Sequence, residues 1–406
     1  ALVGNAICAA DATTKTLAEV PIIIAGAIAF VIFVLVLTTN TWLDPVIVMV
    51  SLGIAIAINA GTNIIFGTIS FVTNASGNIL QLAVSLDYSV FLLHRYRECK
   101  ALTDDPKEAM VDALCKSTTS ILSSGLTTVI GFLALCIMRF LLGPDMGYAL
   151  AKGVAFSLIT VFLFTPCFIL SIQKFVDKCE HRSFMPDFHG FGKFISKVMV
   201  PLAIVFIVCI APSYLASNAN SYIYGSGHLF GDDSRITIDT KSVEDVFGQR
   251  DTYVLMVPNR STATEKELSD KIHELKQVTD IISFVDNAGA EIPKEYLDGE
   301  TLKLLDSGKY SRMVISVKAD YEGDEAFALI EEIRNLSEKY YPGEWYLAGQ
   351  GVSTYDLKLT VVADMVKVNL VAILAVFLVM VILQRGLILP ILLVLSIETA
   401  TWINLS

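Results

Sequence analysis

The chain has 406 residues, of which 54% are hydrophobic and only 17% charged, a balance that excludes a soluble protein of ordinary composition and makes a bilayer the expected solvent. The net charge of −11 is unevenly placed: residues 214–360 hold 26 Asp/Glu against 15 Lys/Arg and carry all of it. The remainder is neutral overall, so nothing offers nucleic acid a strongly basic surface, and no nucleic-acid partner is expected. The first residue is Ala1, and no basic stretch with a cleavage site precedes the first apolar run, so no signal peptide is read. An apolar run is still open at Ser406, and both ends read as cuts in a longer protein. Cys136, Cys167 and Cys209 fall in apolar runs and Cys99, Cys115 and Cys179 in basic loops, with none in the acidic segment, so structural disulfides are not expected.

A membrane-spanning helix needs roughly 20 mostly apolar residues, so uncharged intervals mark the spans. Residues 20–43 are uncharged, as are 45–86, which Gly67, Asn74, Ser76 and Gly77 divide into two helices. Further spans are predicted at 117–138, 153–173, 198–214 and 368–384, with a last one starting at Leu387, giving seven complete helices and one truncated. The loops 94–117 and 173–197 hold Arg95, Arg97, Lys100, Lys107, Lys116 and then Lys174, Lys178, Arg182, Lys193, Lys197. Positive loops stay inside, so both are expected in the cytoplasm, and alternation puts the acidic segment outside. Within the first loop, Asp104-Asp105-Pro106-Lys107-Glu108 has the capping acid, the proline and the following Glu of a helix start, predicting a short surface helix that leads into the next span.

The acidic segment alternates in periodicity. Strands are expected at 252–257, 281–285, 313–318 and 345–348, and helices at 264–277 and 324–340. Strand-helix-strand occurs twice, the arrangement of a split ferredoxin-like α+β domain, with 293–307 inserted between the halves.

An ungapped shift of 345 residues aligns the start of the chain with its end. Gly4, Asp11, Glu19, Pro45, Ser51 and Asn59 meet Gly349, Asp356, Asp364, Pro390, Ser396 and Asn404. Matched Gly, Asp, Pro and Asn are not explained by shared apolarity, and an internal duplication follows. Duplicated halves are common in secondary transporters, whose coupling sites lie at the repeat interface near the midplane. The second copy stops before the counterpart of Asp87.

Asp87 and Tyr88 lie near the middle of the span 78–95. A carboxylate there costs about 2.5–3.5 kcal/mol on insertion scales, so it is expected to face the bundle, take a partner or hold a proton, with its affinity for that proton raised by desolvation. A neutral Asp bonded to another helix for packing alone is the plainer alternative. Ser124, Thr127 and Thr128, with Ser123, form a small polar face on the span 117–138, where Gly125 and Gly131 allow close approach; they are the candidate relay partners, although Ser/Thr in membrane helices also bond their own backbone. Glu398 is a second intramembrane acid of open role. Arg95 and Arg97 are read as cytoplasmic helix-end anchors, suited to the helix dipole and the inner leaflet. His181, His189, His228 and His273 lack metal-ligand spacing, and no phosphate loop, nucleophile elbow or HExxH is present, so no metal, no cofactor other than protons as coupling ion, and no enzyme chemistry are expected.

The run Ser85-Leu86-Asp87-Tyr88-Ser89-Val90-Phe91-Leu92-Leu93, followed by Arg95-Tyr96-Arg97-Glu98, resembles the fourth helix of the MMPL-like branch of the resistance-nodulation-division (RND) superfamily, and residues 124–135 resemble its fifth. The resemblance implies a polytopic α-helical membrane protein with ferredoxin-like extracytoplasmic porter domains. Residues 1–20 would end the first porter domain, 21–214 form helices two to seven, 215–360 the second porter domain, and 361–406 helix eight and the start of helix nine. It implies proton-motive-force-driven export of lipidic, amphipathic or hydrophobic small molecules across the cytoplasmic (inner) membrane, with Asp87 and Tyr88 in the positions of the proton relay. Its partners would be membrane lipids and a small-molecule or lipid substrate; a homo-oligomer stays open. The layout is shared with protein-export accessory subunits and with Patched-like, sterol-sensing receptors, which remain the alternatives.

Overall fold

In a computed structural model, residues 5–103, 105–179, 181, 189–220, 222–225, 234–287 and 303–405 are described. Asp104, Arg182, His228 and most of the insertion expected at 293–307 lie outside them. In chain order the helices are α1 (Asn5–Thr38), α2 (Asp44–Thr62), α3 (Phe71–Lys100), α4 (Pro106–Ala134), α5 (Leu142–Ile159), α6 (Thr165–Val176) and α7 (His189–Asn218). There follow α8 (Arg235–Phe247), β1 (Asp251–Pro258), α9 (Thr262–His273), β2 (Val278–Ile282), α10 (Phe284–Asn287), β3 (Tyr310–Val317), α11 (Asp324–Tyr340), β4 (Tyr346–Gly349), α12 (Gln350–Gln384) and α13 (Ile388–Leu405). The chain divides into a helical unit, residues 13–221 with 363–406, and an α/β unit, residues 1–12 with 222–362.

Among the described residues eight helical segments are long and apolar enough to cross a membrane, the number expected. Three differ most in extent, the first being the span expected at 368–384, which is part of one helix over Gln350–Gln384. The short surface helix and the span after it are one continuous helix, α4: the Asp105 side chain accepts from the Lys107 N–H at 3.0 Å, Pro106 fills the first turn, and no breaker follows. The span expected at 153–173 runs from Leu142 to Val176, because α5 and α6 are joined through a π-helical turn at Thr160–Phe164 that keeps the backbone bonded. The duplication is visible in the elements as well. α1 ends at Thr38 and α2 opens at Asp44, while α12 ends at Gln384 and α13 opens at Ile388, the same break displaced by about the 345-residue shift.

In the helical unit α3 packs against α2, α4 and α5. Its buried side chains recur at Gly77, Gln81, Ser85, Ser89, Leu92, Tyr96 and Cys99, one stripe at helical spacing. Gln81 accepts from Asn59 Nδ2 of α2 at 2.8 Å and donates to the Gly153 carbonyl of α5 at 3.0 Å, while Ser85 donates to Ser157 Oγ at 2.5 Å. A Cβ at Gly153 would stand 2.8 Å from Asn59 Nδ2, so only glycine admits this crossing of three helices. At the other side of α3, a Cβ at Gly125 would meet Leu158 at 2.5 Å, which fixes the contact between α4 and α5. Gly131, expected to serve the same end, faces open space.

The α/β unit is a four-stranded antiparallel sheet in the order β2-β3-β1-β4. β1 and β2 run parallel with β3 inserted between them, which makes the split arrangement: each strand-helix-strand unit leaves a gap that the other fills. The register sets Leu255 opposite Met313 and Tyr253 opposite Ile315. Those four side chains point to the buried face, where Leu268 and Ile272 of α9 and Ile330 and Ile333 of α11 cover them. The second strand is displaced from expectation: pairing covers Val278–Ile282, and the chain turns helical at Phe284 because Ser283 Oγ accepts from the Asp286 N–H at 3.2 Å and starts a turn.

Asp286 then accepts from Ser269 Oγ at 2.5 Å, Ser283 Oγ at 2.7 Å and Lys266 Nζ at 2.9 Å. Burial alone would raise its carboxyl, but these donors outweigh it and hold the group below the usual carboxylate range. At the head of α12, Gly351 donates to Asp251 Oδ2 at 2.9 Å, and a Cβ on Gly351 would stand 2.8 Å from that oxygen.

Two outcomes follow from the α/β unit. Leu255→Ala removes a side chain at the centre of its core and is expected to cost about 2–5 kcal/mol, read as faster hydrogen exchange at the β1 and β3 amides with the membrane helices unchanged. Asp286, held low in the fold, contributes stability in full above the ordinary Asp value of about 3.9 and loses it as pH falls through its lower folded value; Asp286→Asn is expected to flatten the acid limb of that exchange profile.

Candidate functional site

α3 places Asp87 at its seventeenth residue of 30, roughly 24 Å from its start at 1.5 Å per residue and so close to the middle of a hydrocarbon core about 30 Å thick. Leu80, Ala83, Asp87, Phe91 and His94 are all exposed and recur at helical spacing, forming a second stripe opposite the Gln81–Ser85 stripe. Among the described residues Asp87 is thereby turned away from the neighbouring helices; of the three expected outcomes, facing the bundle, taking a partner or holding a proton, the first two are not what the structure shows. The physical reason lies one turn away: the face of α3 that packs is already taken by Gly77, Gln81, Ser85 and Ser89, which are small or satisfied by hydrogen bonds to α2 and α5. Among the described residues no hydrogen bond or ion pair reaches Asp87.

Tyr88 goes the other way. Its ring is buried among Leu92, Ile121, Val154 and Leu158, and its hydroxyl donates to Thr128 Oγ1 at 3.5 Å, with the Ser124 side chain also against it. Thr128 Oγ1 donates to the Ser124 carbonyl at 2.9 Å, and Thr127 Oγ1 to the same carbonyl at 2.8 Å. The structure thus brings Tyr88 to Ser124 and Thr128 on α4, while Thr127 bonds only its own helix among the described residues. Asp87 and Tyr88, one residue apart, stand at the border between a packed face and an open one. Carboxylate and phenol share that border with a hydroxyl ladder on α4, a set of groups that can accept, hold and pass a proton.

Glu398 is half-buried on α13, a helix that packs on α7 with Trp402 edge-on to Tyr214 at 5.2 Å. It makes no hydrogen bond or ion pair with Asp87 or Tyr88 among the described residues. Arg95 bonds Glu98 at 2.5 Å and lies 5.9 Å over the Phe91 ring, an exposed arrangement that suits a helix-end anchor. Arg97 departs from that expectation. Its guanidinium turns inward, donating to Thr41 Oγ1 at 3.0 Å and to the fully buried carboxylate of Asp44. It ties the end of α3 to the start of α2.

Among the described residues of the helical unit, two ion pairs with a buried carboxylate have no counterpart in the sequence expectations. Asp44 had served only as the end of an uncharged interval, and nothing in one sequence couples it to Arg97. The second is Asp364, 1% exposed on α12, whose carboxylate accepts from the Arg139 N–H at 2.6 Å and Nε at 3.0 Å and from the Phe140 N–H at 3.4 Å. The one signal for it was the repeat: Asp364 aligns with Glu19, an acid kept in both copies at the entry to a span. Near the same ends of the helices, Asp145 accepts from the Ser70 N–H at 3.0 Å and Thr73 Oγ1 at 2.6 Å, binding α5 to the first turn of α3.

Comparison with known proteins bears on this arrangement. In structure the chain is similar to SecDF in its super-membrane-facing form, with a TM-score of 0.52 and 14% identity over 97% of this chain and 46% of that one, a likeness of fold. In sequence it is 28% identical over 97 residues to the membrane protein MJ1562 of Methanocaldococcus jannaschii, covering 24% of this chain and 25% of that protein. It is also 28% identical over 173 residues to the Probable transport protein MmpL2 of Mycobacterium tuberculosis, covering 41% of this chain and 17% of that protein. The matched regions thus span a quarter or less of these curated relatives. The sequence profile of the MMPL family matches residues 1–197 and 229–405, and with eight spans, a split ferredoxin-like sheet and an SecDF-like fold, the chain belongs to the MMPL family as a multi-pass membrane protein.

Proposed function

We propose that this chain is part of a proton-motive-force-driven exporter of lipidic, amphipathic or hydrophobic small molecules, in which Asp87 and Tyr88 couple proton movement to transport. The observation that carries the proposal is the stripe Leu80–Ala83–Asp87–Phe91–His94. It is an open helix face at mid-membrane with one carboxylate at its centre and a buried tyrosine hydroxyl beside it. A charged carboxylate facing lipid costs about 2.5–3.5 kcal/mol on insertion scales, whereas a protonated one costs far less, so proton binding changes what the face can pack against. Covered by the matching helix of the duplicated half, the face alternates between two packings as Asp87 is protonated from outside and discharged inside. Tyr88 and the hydroxyls of Ser124 and Thr128 supply a path for the proton along α4, and the repeat makes the partner surface a copy of the same design.

The ion pair of Asp364 with Arg139 supports the mechanical side of the proposal. α12 is one uninterrupted helix over Gln350–Gln384, and the salt bridge clamps it to the turn ahead of α5, so a shift of α5 against α3 and α4 is passed to α12. The reading is transport, in line with the MMPL family and with the transport protein MmpL2. A polypeptide cargo, as in a protein-export accessory, uses the same helices, and the fold does not separate the two; the identity of the transported substrate does.

The deciding experiment uses the intact protein in proteoliposomes with an imposed pH gradient. Asp87→Asn is expected to reduce gradient-dependent export of an amphipathic substrate to background, and Tyr88→Phe to slow it without abolishing it. Undiminished export by the Asp87 variant removes the relay role. Loss of polypeptide translocation with small-molecule export intact assigns the accessory function instead.

A further inference from the structure

Over residues 222–362 the chain enters the α/β unit after α7 and leaves it through the head of α12, and a carboxylate holds the backbone at each place. Glu322 accepts from the Tyr224 N–H at 2.6 Å and the Gly225 N–H at 2.9 Å. Asp251, at the start of β1, accepts from the Gly351 N–H at 2.9 Å through Oδ2 and from the Thr252 N–H at 2.7 Å through Oδ1. The two acids differ in setting. Glu322 is half-buried, whereas Asp251 is 5% exposed, and among the described residues its bonds come from neutral amides alone. A carboxylate taken out of water with no cation beside it is costly to keep charged.

A second polar group beside it is left over. The Tyr253 side chain is fully buried, and its hydroxyl finds no partner among the described residues. Both groups flank one point at the head of α12: a Cβ on Gly351 would stand 2.8 Å from Asp251 Oδ2 and 3.1 Å from the Tyr253 hydroxyl, and a Cβ on Gly349 would stand 2.8 Å from the Tyr253 ring. A charged Asp251 has no proton to offer the phenol oxygen, and a protonated one has. Burial pushes the Asp251 carboxyl above the usual carboxylate range against the pull of the two amides, and the charge of Asp320, exposed after β3, adds to the rise. Burial, Asp320 and Asp245 raise Glu244 on α8 in the same way, against Lys241. The other cations nearby in sequence are exposed or engaged: Arg250 and Lys318 are exposed, Arg334 pairs with Asp356 at 2.7 Å, and Lys358 lies 4.4 Å over the Phe327 ring.

We propose that Asp251, with Tyr253 beside it, is a proton-binding site that sets how firmly the α/β unit holds the head of α12. In the charged form Oδ2 grips the Gly351 N–H. A proton taken from water settles on Oδ2, the new O–H donates to the Tyr253 hydroxyl oxygen, and the Gly351 N–H is left with a neutral acceptor, which binds it about half as strongly. The basic loops are expected inside, which puts this unit outside, so the site responds to external pH. α12 continues unbroken to Gln384, and a change at its first turn therefore bears on a membrane span. The inference does not rest on the relay at Asp87, because Asp251 keeps its two forms whether or not Asp87 moves a proton.

The test takes the intact protein in nanodiscs from about pH 8 to about pH 4, across ordinary and raised carboxylates. Hydrogen exchange, corrected for the intrinsic effect of pH on amides, reads residues 350–356, and infrared spectra read the carbonyl band of a protonated carboxyl. The expected result is faster exchange at the head of α12 as pH falls, with a midpoint above the ordinary Asp value of about 3.9 and a carboxyl band that titrates with it. Asp251→Asn is expected to lose both changes. Tyr253→Phe, which removes an unbonded hydroxyl, is expected to keep the fold and lower the midpoint by roughly 0.5–1 pH unit, and Asp320→Asn to lower it as well. These two keep the test decisive if the Asp251 variant misfolds. Asp280→Asn, which neutralises an exposed acid on β2, is expected to change nothing. The proposal is overturned by pH-independent exchange at the head of α12, by a midpoint that persists in Asp251→Asn, by midpoints unmoved in both Tyr253→Phe and Asp320→Asn, or by an equal shift in Asp280→Asn.

Discussion

The helical unit rests on one constraint, that a polar side chain carried into hydrocarbon must be satisfied there or left on a face that something else covers. α3 meets the constraint in both ways at once. One stripe spends Gln81 and Ser85 on Asn59, Gly153 and Ser157, locking α2, α3 and α5 at distances only glycine permits. The opposite stripe leaves Asp87 without a partner among the described residues. A single residue separates the two regimes, and Tyr88 occupies it. The packing of the bundle and the chemistry proposed for it thus come from the two sides of one helix.

The same division explains what the sequence made legible. Spans, their number and the split α+β domain follow from periodicity and from fixed charges, which act over whole elements; the helix expected at 324–340 is Asp324–Tyr340 in the structure, where two acids open it and Pro342-Gly343 follows it. Asp87 and Tyr88 stood out because an acid in the centre of an apolar run is expensive wherever it points. Which way it points was not legible. That depends on Gln81 and Ser85 finding partners 72 and 76 residues away on α5, a long-range fact with no local trace.

Of the two cations expected as helix-end anchors, Arg97 departs from that role for a related reason. Arg95 and Arg97 are two residues apart, and on a helix such neighbours diverge by about 200°. One therefore looks out, over Phe91 and Glu98, while the other looks in, toward Asp44. Composition treats them alike, as two cations in a basic loop, and only geometry separates an anchor from a bolt. The helix start at Asp105-Pro106 shows the converse: its cap is local and lies where the sequence puts it, while the length of the helix it opens depended on the absence of any breaker as far as Ala134.

The π-helical turn at Thr160–Phe164 carries a consequence of its own. Thr165 returns its N–H to the carbonyl of Thr160, five residues back, and its hydroxyl bonds Ser51 at 3.1 Å. Pro166, which has no N–H to give, follows immediately. One residue more than an α-turn advances everything downstream by about 100° around the axis, so Ile169 faces α2 and α3 where an unbroken helix would present a neighbour. A surplus residue of this kind can move along a helix by exchanging one hydrogen bond at a time. The 35-residue span that contains it is thereby two helices on one axis whose faces are set in different rotational register.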